Sequence, residues 1–324
     1  MAEWLFEAGI GEDRAILVED GTILEAAIEL PGALRVGSIV QGKLQQVLIP
    51  GRRAIVGTGE GEALMEPIPA GLSEGQAIRI EIVREAIPEA GRAKLAKCRS
   101  SDAEPRNGPS LRQRLPGART ARPGEDPFEA AGWSELLEEA ATGEIAFQGG
   151  ALRISLTPAM TLIDVDGSLP PEALAVAGAG AAGRAIRRLG IGGSIGIDLP
   201  TLSAKPDRQA AAAALDVVLP QPFERTAVNG FGFLQVVRRR ERVSLPELLQ
   251  GDPIGASARA LLRRAERAPG SGERTLSAHP IVAAKIETNP QWLEALARRL
   301  GAPVRLQADP SLAISAGHVH AAFP

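Results

Sequence analysis

The chain has a single cysteine, Cys98, and no tyrosine among its 324 residues. One thiol excludes an intramolecular disulfide and any cysteine-based zinc site within one chain. Aromatic residues make up 3% of the sequence, so the cores that a 44% hydrophobic content supports must be filled by aliphatic side chains. No apolar run approaches the ~18 residues of a membrane span, and the opening Met1-Ala2-Glu3-Trp4 lacks the basic flank and cleavage pattern of a secretion signal. A reducing, cytoplasmic setting without membrane contact is the expectation. Strong positive charge is also missing. The formal net charge is −3, whereas affinity for nucleic-acid phosphates comes chiefly from Lys and Arg.

The arginines that are present cluster at Arg184, Arg187 and Arg188, at Arg238, Arg239, Arg240 and Arg242, and at Arg259, Arg263, Arg264 and Arg267. Such runs most often form solvated helix faces, and the alternative is a basic binding face. The length suits two domains or more. From Arg14 to Leu30 two apolar runs flank Glu19-Asp20-Gly21, a hairpin signal. Strands follow at about 38–48, 54–57 and 77–82, with a last one near 94–97, and this punctuation suggests a small β-barrel. Residues 99–127, rich in Arg, Pro, Gly and Ser, read as a flexible linker. Beyond it the pattern is α/β. Helices are expected at 133–141, 171–189, 207–219, 245–249, 256–268 and 289–300, and strands at 151–156, 161–165, 194–198 and 231–237. Ala268-Pro269-Gly270-Ser271-Gly272 reads as a second linker before a small α/β module.

Two aspartates carry the chemistry in this pattern. Asp164 closes Met160-Thr161-Leu162-Ile163 and Asp198 closes Ser194-Ile195-Gly196-Ile197. Their separation of roughly 34 residues suits one strand–helix–strand unit. Parallel strands would bring both carboxylates to the sheet edge where open α/β sheets tend to bind ligands. With Asp166 beside them they form a hard oxygen donor set suited to Mg²⁺, which takes one or two carboxylates and keeps several waters. Spacing alone leaves metal binding and helix capping both open.

Three other motifs compete for attention. Gly178, Gly180 and Gly183 spell G-x-G-x-x-G with Asp198 about 20 residues on, the fingerprint of an NAD(P)-binding oxidoreductase. Gly192-Gly193-Ser194-Ile195-Gly196 matches a nucleophile elbow but has its helix before the serine and its strand after it, the reverse of what that motif needs. His318-Val319-His320 places two imidazoles on one strand face, with an exposed edge strand as the plainer meaning.

The run Thr161-Leu162-Ile163-Asp164-Val165-Asp166-Gly167, an alanine-rich helix, and Gly192-Gly193-Ser194-Ile195-Gly196-Ile197-Asp198 together resemble the catalytic core of the ribonuclease E/G family. Asn229-Gly230-Phe231-Gly232-Phe233-Leu234-Gln235-Val236-Val237-Arg238-Arg239-Arg240 is similar to the family's S-R-F-G-L-L-E segment and its basic tail. Arg14 to Glu29 and Ser38-Ile39-Val40-Gln41-Gly42-Lys43 resemble its opening hairpin and the start of its S1 barrel. Gly317-His318-Val319-His320 is similar to its terminal strand. These matches follow the family's order along most of the chain.

The resemblance implies a multidomain α+β and α/β protein: a hairpin and S1-like (OB-fold) barrel at 1–98, a linker at 99–127, an α/β catalytic core with strand-end aspartates at 128–268, and a C-terminal module at 269–324. It implies Mg²⁺, with Mn²⁺ as a substitute, held by Asp164 and Asp198 and assisted by Asp166. The activity implied is endonucleolytic cleavage of single-stranded RNA in RNA processing, by metal-activated water attack that leaves a 5′-phosphate and a 3′-hydroxyl. Lys43, Arg92, Arg238, Arg239 and Arg240 are the implied RNA contacts. Several departures accompany it. Asp166 replaces an asparagine, Ile55 and Ala63 match the barrel's base-stacking aromatics, and the 5′-monophosphate sensor and most of the ribonuclease-H-like layer have no counterpart. The zinc link expected near 267–275 has no cysteine, which leaves a monomer or a homo-oligomer not linked by zinc. The alternative on the same scaffold is an RNA-binding protein with weak catalysis.

Overall fold

Short apolar runs over 3–29 fold as a sheet of their own rather than as part of the barrel that follows. The computed structural model describes residues 1–89, 93–122 and 125–323. Strands β1 (Glu3–Ala8), β2 (Asp13–Glu19) and β3 (Thr22–Glu29) form an antiparallel meander. The β2–β3 hairpin turns through Asp20 and Gly21, at φ 49° and 76°, the left-handed pair that a two-residue loop needs to match strand twist.

Strands β4 (Ile39–Ile49), β5 (Arg53–Thr58), β6 (Gly61–Met65), β7 (Ala77–Arg84) and β8 (Ala96–Ser100) close into an OB-like barrel in the order β4-β5-β6-β8-β7. Leu44, Ala54, Val56, Ala63, Met65, Ile80, Ile82 and Cys98 fill it. Burial pushes the Cys98 thiol up to about 12, which removes it from thiolate chemistry at neutral pH. Ala63 therefore lies inside the barrel and not on a binding surface. Its neighbour Leu64, paired with Ile55, shares the outward row.

The segment expected as a flexible linker is held in place along its described residues. Ile39 and Arg106 exchange backbone hydrogen bonds of 2.8 and 3.0 Å, and the Gly108 amide donates to Ser38 Oγ at 2.9 Å. Helix α1 (Leu111–Arg114) has a complete capping box from Ser110 and Gln113, and Leu111 and Ala118 pack against Phe6 and Ala15. Strand β9 (Arg119–Thr120) then adds in parallel to β1. A polar composition hides these anchors because they are tertiary contacts, with no local period to reveal them.

Helices α2 (Pro127–Ala130) and α3 (Trp133–Thr142) lead into β10 (Glu144–Phe147), β11 (Gly150–Leu156), β12 (Thr161–Gly167), α4 (Pro171–Arg188), β13 (Gly193–Asp198), α5 (Lys205–Val218), β14 (Glu224–Arg225) and β15 (Phe233–Arg238). The six strands order as β10-β11-β12-β13-β15-β14, with β12 and β13 the parallel pair. One face of this sheet shares a core with α3, α4, α5 and the N-terminal strands, through Ile16, Ile23 and Ala26. The opening hairpin thus belongs to this core and not to the barrel's. The expected boundary at 98 joins two units that pack separately.

Helices α6 (Leu245–Gly251) and α7 (Pro253–Arg267) precede β16 (Ser271–Ala278), α8 (Pro280–Glu287), α9 (Pro290–Leu300), β17 (Val304–Ala308) and β18 (His318–Phe323). The C-terminal sheet runs β17-β16-β18. Ala258, Leu261, Leu262 and Ala265 of α7 pack into this module's core with Leu276, Val282 and Ile286. The expected division at 268 therefore separates α7 from the sheet it covers, and the second linker is a tight turn at Gly270 (φ 92°) entering β16. Among the described residues no helix is long and apolar enough to cross a membrane.

Arg259, Arg263 and Arg267 of α7 are paired with acids and not free to bind, whereas Arg264 is exposed. Glu7 pairs with Arg14, with Arg263 (3.2 Å) and with Arg267 (2.7 Å). Glu12 pairs with Arg14 (3.0 Å) and Arg259 (2.9 Å). Arg263 also reaches Asp126 and Glu129 of the α2 region. Arg14, Arg259, Arg263, Glu7 and Glu12 are all buried, so this network clamps the N-terminal sheet to α2 and the C-terminal module. Deleting one member of a buried pair leaves an uncompensated charge, at about 3–5 kcal/mol. Arg263→Ala is expected to lower unfolding stability by that amount in urea titrations, and Glu7→Gln with Arg263→Met should cost less than the two single changes summed.

Glu85, at the end of β7, titrates above the ordinary carboxylate range because burial outweighs the attraction of Arg242 and the Val36 amide. The folded state therefore holds this proton more tightly than the unfolded chain. That contribution to stability is complete below about pH 4 and is lost as pH rises through the raised folded value. Glu85→Gln should gain stability over the parent protein as pH rises from 4 to 7, as read by thermal melts; a gap that stays constant across that range would contradict this.

Candidate functional site

Strand pleating assigns the two faces of the central sheet. Ile163, Val165, Ile195 and Ile197 are buried in the core with Leu174, Ala175, Ala179 and Ala182 of α4. Because side chains alternate, Leu162, Asp164 and Asp166 of β12 and Asp198 of β13 lie on the opposite, open face. Asp164 is half-buried there, and Asp166 and Asp198 are exposed.

The parallel pairing runs Thr161↔Ile195, Leu162↔Gly196, Ile163↔Ile197 and Asp164↔Asp198. The two aspartates are direct cross-strand neighbours, on strands about 4.8 Å apart. Asp198 ends β13, while β12 continues past Asp164 to Gly167. Asp166 sits one pleat further along the same face, about 6.6 Å on. Among the described residues, no three His, Cys, Asp or Glu side chains group together so as to hold a metal ion. The arrangement is thus a pair of carboxylates with a third acid at a distance.

Helix α4 is what permits this pairing. It opens with Pro171 and Glu172 in its first turn and closes with Arg187 and Arg188 in its last, in accord with the helix dipole. A Cβ at Gly178 would stand 2.3 Å from Val165 Cγ1, and one at Gly183 would stand 2.6 Å from Val218 Cγ2 of α5. These glycines let the helix press against sheet and neighbour. Gly178, Gly180 and Gly183 all lie inside α4, and the residues directly before them, from Pro171 on, are helix and not the strand that such a fingerprint needs. The strand–turn–helix setting of a dinucleotide fingerprint is therefore absent, and the oxidoreductase reading falls. Ser194 likewise lies within β13 and not on an elbow.

Two neighbouring strands complete the open face. Arg153 of β11 is registered opposite Asp164 and its side chain is exposed, with Glu144 at 4.0 Å. Phe233 of β15 is registered opposite Asp198. A Cβ at Gly196 would come within 2.6 Å of Phe233 Cζ and 2.9 Å of Leu162 Cδ2, so this glycine lets both apolar side chains close over the floor beside the aspartates. The reading of the sequence missed Arg153 and Phe233. The β11–β12 hairpin held the signal for the first, since a short connection at 157–160 sets Leu156 against Thr161 and hence Arg153 against Asp164.

The remaining expected contacts do not gather at this edge. Gly193 pairs with Arg238, which puts Arg238, Arg239 and Arg240 at the opposite end of β13, roughly 17 Å from Asp198 along the strand. Arg238 Nη1 donates to the Ile191 and Ile186 carbonyls at 3.1 and 3.4 Å, and burial lowers its pKa. Arg239 pairs with Glu241 at 2.8 Å and Arg240 pairs with Glu247. Arg238 and Arg240 thereby fasten the turn and α6, while the Arg239 side chain stays exposed. The barrel docks at that same far end, where the Glu85 amide donates to the Glu241 carbonyl at 2.8 Å and Lys94 Nζ to the Pro158 carbonyl at 3.0 Å. Lys43 is exposed on the outer face of β4. Arg92 lies outside the described residues. His318 and His320 are exposed on edge strand β18, as expected.

No family model matches the chain, and a search of curated proteins finds no match.

The donor chemistry of Asp164 and Asp198 fits a hard divalent cation, which commonly takes two protein carboxylates and fills its remaining positions with water. Without a cation, in-register like charges repel by about 0.2–1 kcal/mol. Asp198→Asn is expected to raise stability slightly in EDTA, with the gain shrinking or reversing on adding Mn²⁺; melting curves with and without the metal read this directly.

Proposed function

We propose that this protein is an endoribonuclease of the ribonuclease E/G type, cleaving single-stranded RNA at the edge where β12 and β13 carry Asp164 and Asp198. The observation that carries the reading is the registered parallel pair of carboxylates on an open sheet face, with Arg153 on one side and an apolar floor on the other. The closed OB-like barrel preceding the α/β core supports it, since such barrels commonly bind single strands.

Asp164 and Asp198 would hold Mg²⁺. The bound ion would supply charge neutralisation at the phosphoryl oxygens and a water of lowered pKa. Arg153, opposite Asp164, offsets the acidity of the edge and is positioned to pair with a phosphate on the strand flank. Leu162 and Phe233 over Gly196 exclude bulk water from the floor, which strengthens the electrostatics above it. Asp166, exposed one pleat away, is placed to accept hydrogen bonds from solvent or from the metal's waters.

Specific observations favour a second reading, RNA binding with weak turnover. Arg238 and Arg240 of the arginine triplet are committed to structure, and the barrel's outward row carries Ile55 and Leu64 in place of aromatics. The two readings separate in one assay. Labelled single-stranded RNA should be cut in Mg²⁺ and not in EDTA. Asp164→Asn and Asp198→Ala should each lose more than about 100-fold in rate, because even residues behind a metal ligand cost 10–100-fold when removed. RNA binding by folded protein without metal-dependent cleavage would replace the first reading with the second.

A further inference from the structure

Phe231 is 82% exposed, in a protein that buries or half-buries nearly all its other aromatic side chains. Among the described residues the other exposed aromatic is Phe323, on the terminal strand. An aliphatic protein with so few rings forgoes favourable apolar burial by leaving a phenyl group in water. Moreover, this ring does not sit on a loose tip. Asn229 Oδ1 accepts from the Phe231 amide at 2.9 Å and from the Phe233 amide at 3.0 Å. The Asn229 amide donates to the Phe233 carbonyl at 3.0 Å, and the Leu199 amide to the Gly232 carbonyl at 3.2 Å.

That last bond fastens the loop to the residue following Asp198. The approach is so close that a Cβ at Gly232 would stand 2.1 Å from the Leu199 carbonyl oxygen, and Gly232 has φ 91°. Phe231 therefore projects from a fixed frame. It lies two residues from Phe233, the cross-strand partner of Asp198, so its Cα is within about 12 Å of the Asp198 Cα.

We propose that Phe231 is a stacking platform for one unpaired base of an RNA strand whose backbone crosses the Asp164–Asp198 edge. The proposal rests on the nuclease reading for its ligand, and it names the part of the site that engages the base rather than the phosphate. Stacking on a ring is tolerant of sequence, because every base presents a π-face. The barrel's outward row offers no aromatic near Ile55 and Leu64, and the exposed ring stands instead at the reaction edge. Base capture is thereby placed beside the scissile position. A rigid ring loses little entropy on binding.

The test is equilibrium binding of a fluorescein-labelled single-stranded oligoribonucleotide to the full chain in EDTA, read by anisotropy. A matched oligomer with abasic positions serves as the second ligand. Phe231→Ala should weaken binding of the intact oligomer by about 5- to 150-fold, and Phe231→Trp should stay near the parent. The salt dependence of binding should be unchanged, because no phosphate contact is removed. The abasic oligomer should bind parent and Phe231→Ala alike. The melting temperature of Phe231→Ala should match the parent, since the ring is exposed. Equal affinity of parent and Phe231→Ala for the intact oligomer would overturn the stacking role, while metal-dependent cleavage by the same preparation would leave the nuclease reading standing. Loss of binding in Phe231→Ala without cleavage by the parent would keep the platform and remove the nuclease. No RNA binding by the folded parent would overturn both.

Discussion

The parallel pairing of β12 with β13 sets both faces of the central sheet in a single register. Ile163 against Ile197 faces α4 and the main core, and the next step along the pleat sets Asp164 against Asp198 on the other side. A slip of one residue in either strand would turn that strand's carboxylate into the core and its isoleucine to the open face. Two fully buried isoleucines contribute about 1.5–3 kcal/mol each, which is ample to hold the register against carboxylate repulsion of at most about 1 kcal/mol. The core thus sets the register, and with it the juxtaposition of the two aspartates on the open face.

A second constraint works at the opposite corner of the molecule. The buried cluster of Glu7, Glu12, Arg14, Arg259 and Arg263 joins β1 and β2 to α7, with Asp126 and Glu129 drawn in from the α2 region. Buried ion pairs bring little net stability, because desolvation offsets the attraction. They are, however, selective about geometry: an arginine fork that meets two or three carboxylates tolerates only one arrangement of the units that supply them. Residues far apart in the chain are fixed together in this way, while the barrel meets the α/β core through the Glu85–Glu241 and Lys94–Pro158 bonds.

These two constraints explain which parts of the sequence could be read. The β2–β3 hairpin was legible from Asp20-Gly21, and the barrel strands from their spacing between glycines and prolines. Helix α4 was legible from its length and composition, and its two flanking strands from apolar runs ended by aspartate. Each of these is a local signal, repeated every two or every 3.6 residues. The errors have one cause in common. Residues 99–122 read as linker because Arg, Pro, Gly and Ser carry no period, yet the Ile39, Ser38 and Phe6 contacts anchor them. Arg259 and Arg263 of α7 read as part of a solvated face because their acids, Glu7 and Glu12, lie far away in sequence. Gly178, Gly180 and Gly183 carried a minor second reading as a phosphate loop, which the packing of Gly178 on Val165 and of Gly183 on Val218 inside one helix excludes.

The sequence by itself determined the type of most elements, the aliphatic character of the cores and the position of Asp164 and Asp198 at the end of their apolar runs. Local backbone preference and side-chain periodicity are sufficient for that. Only the tertiary structure decided that the two aspartates are in register, that Arg153 and Phe233 flank them, and that Arg238, Arg239 and Arg240 stand at the far end of the same strand. It also decided that Phe231 is held out into solvent beside Asp198. Strand order, register and exposure depend on which distant surfaces are buried together, and that choice is made by the whole chain at once.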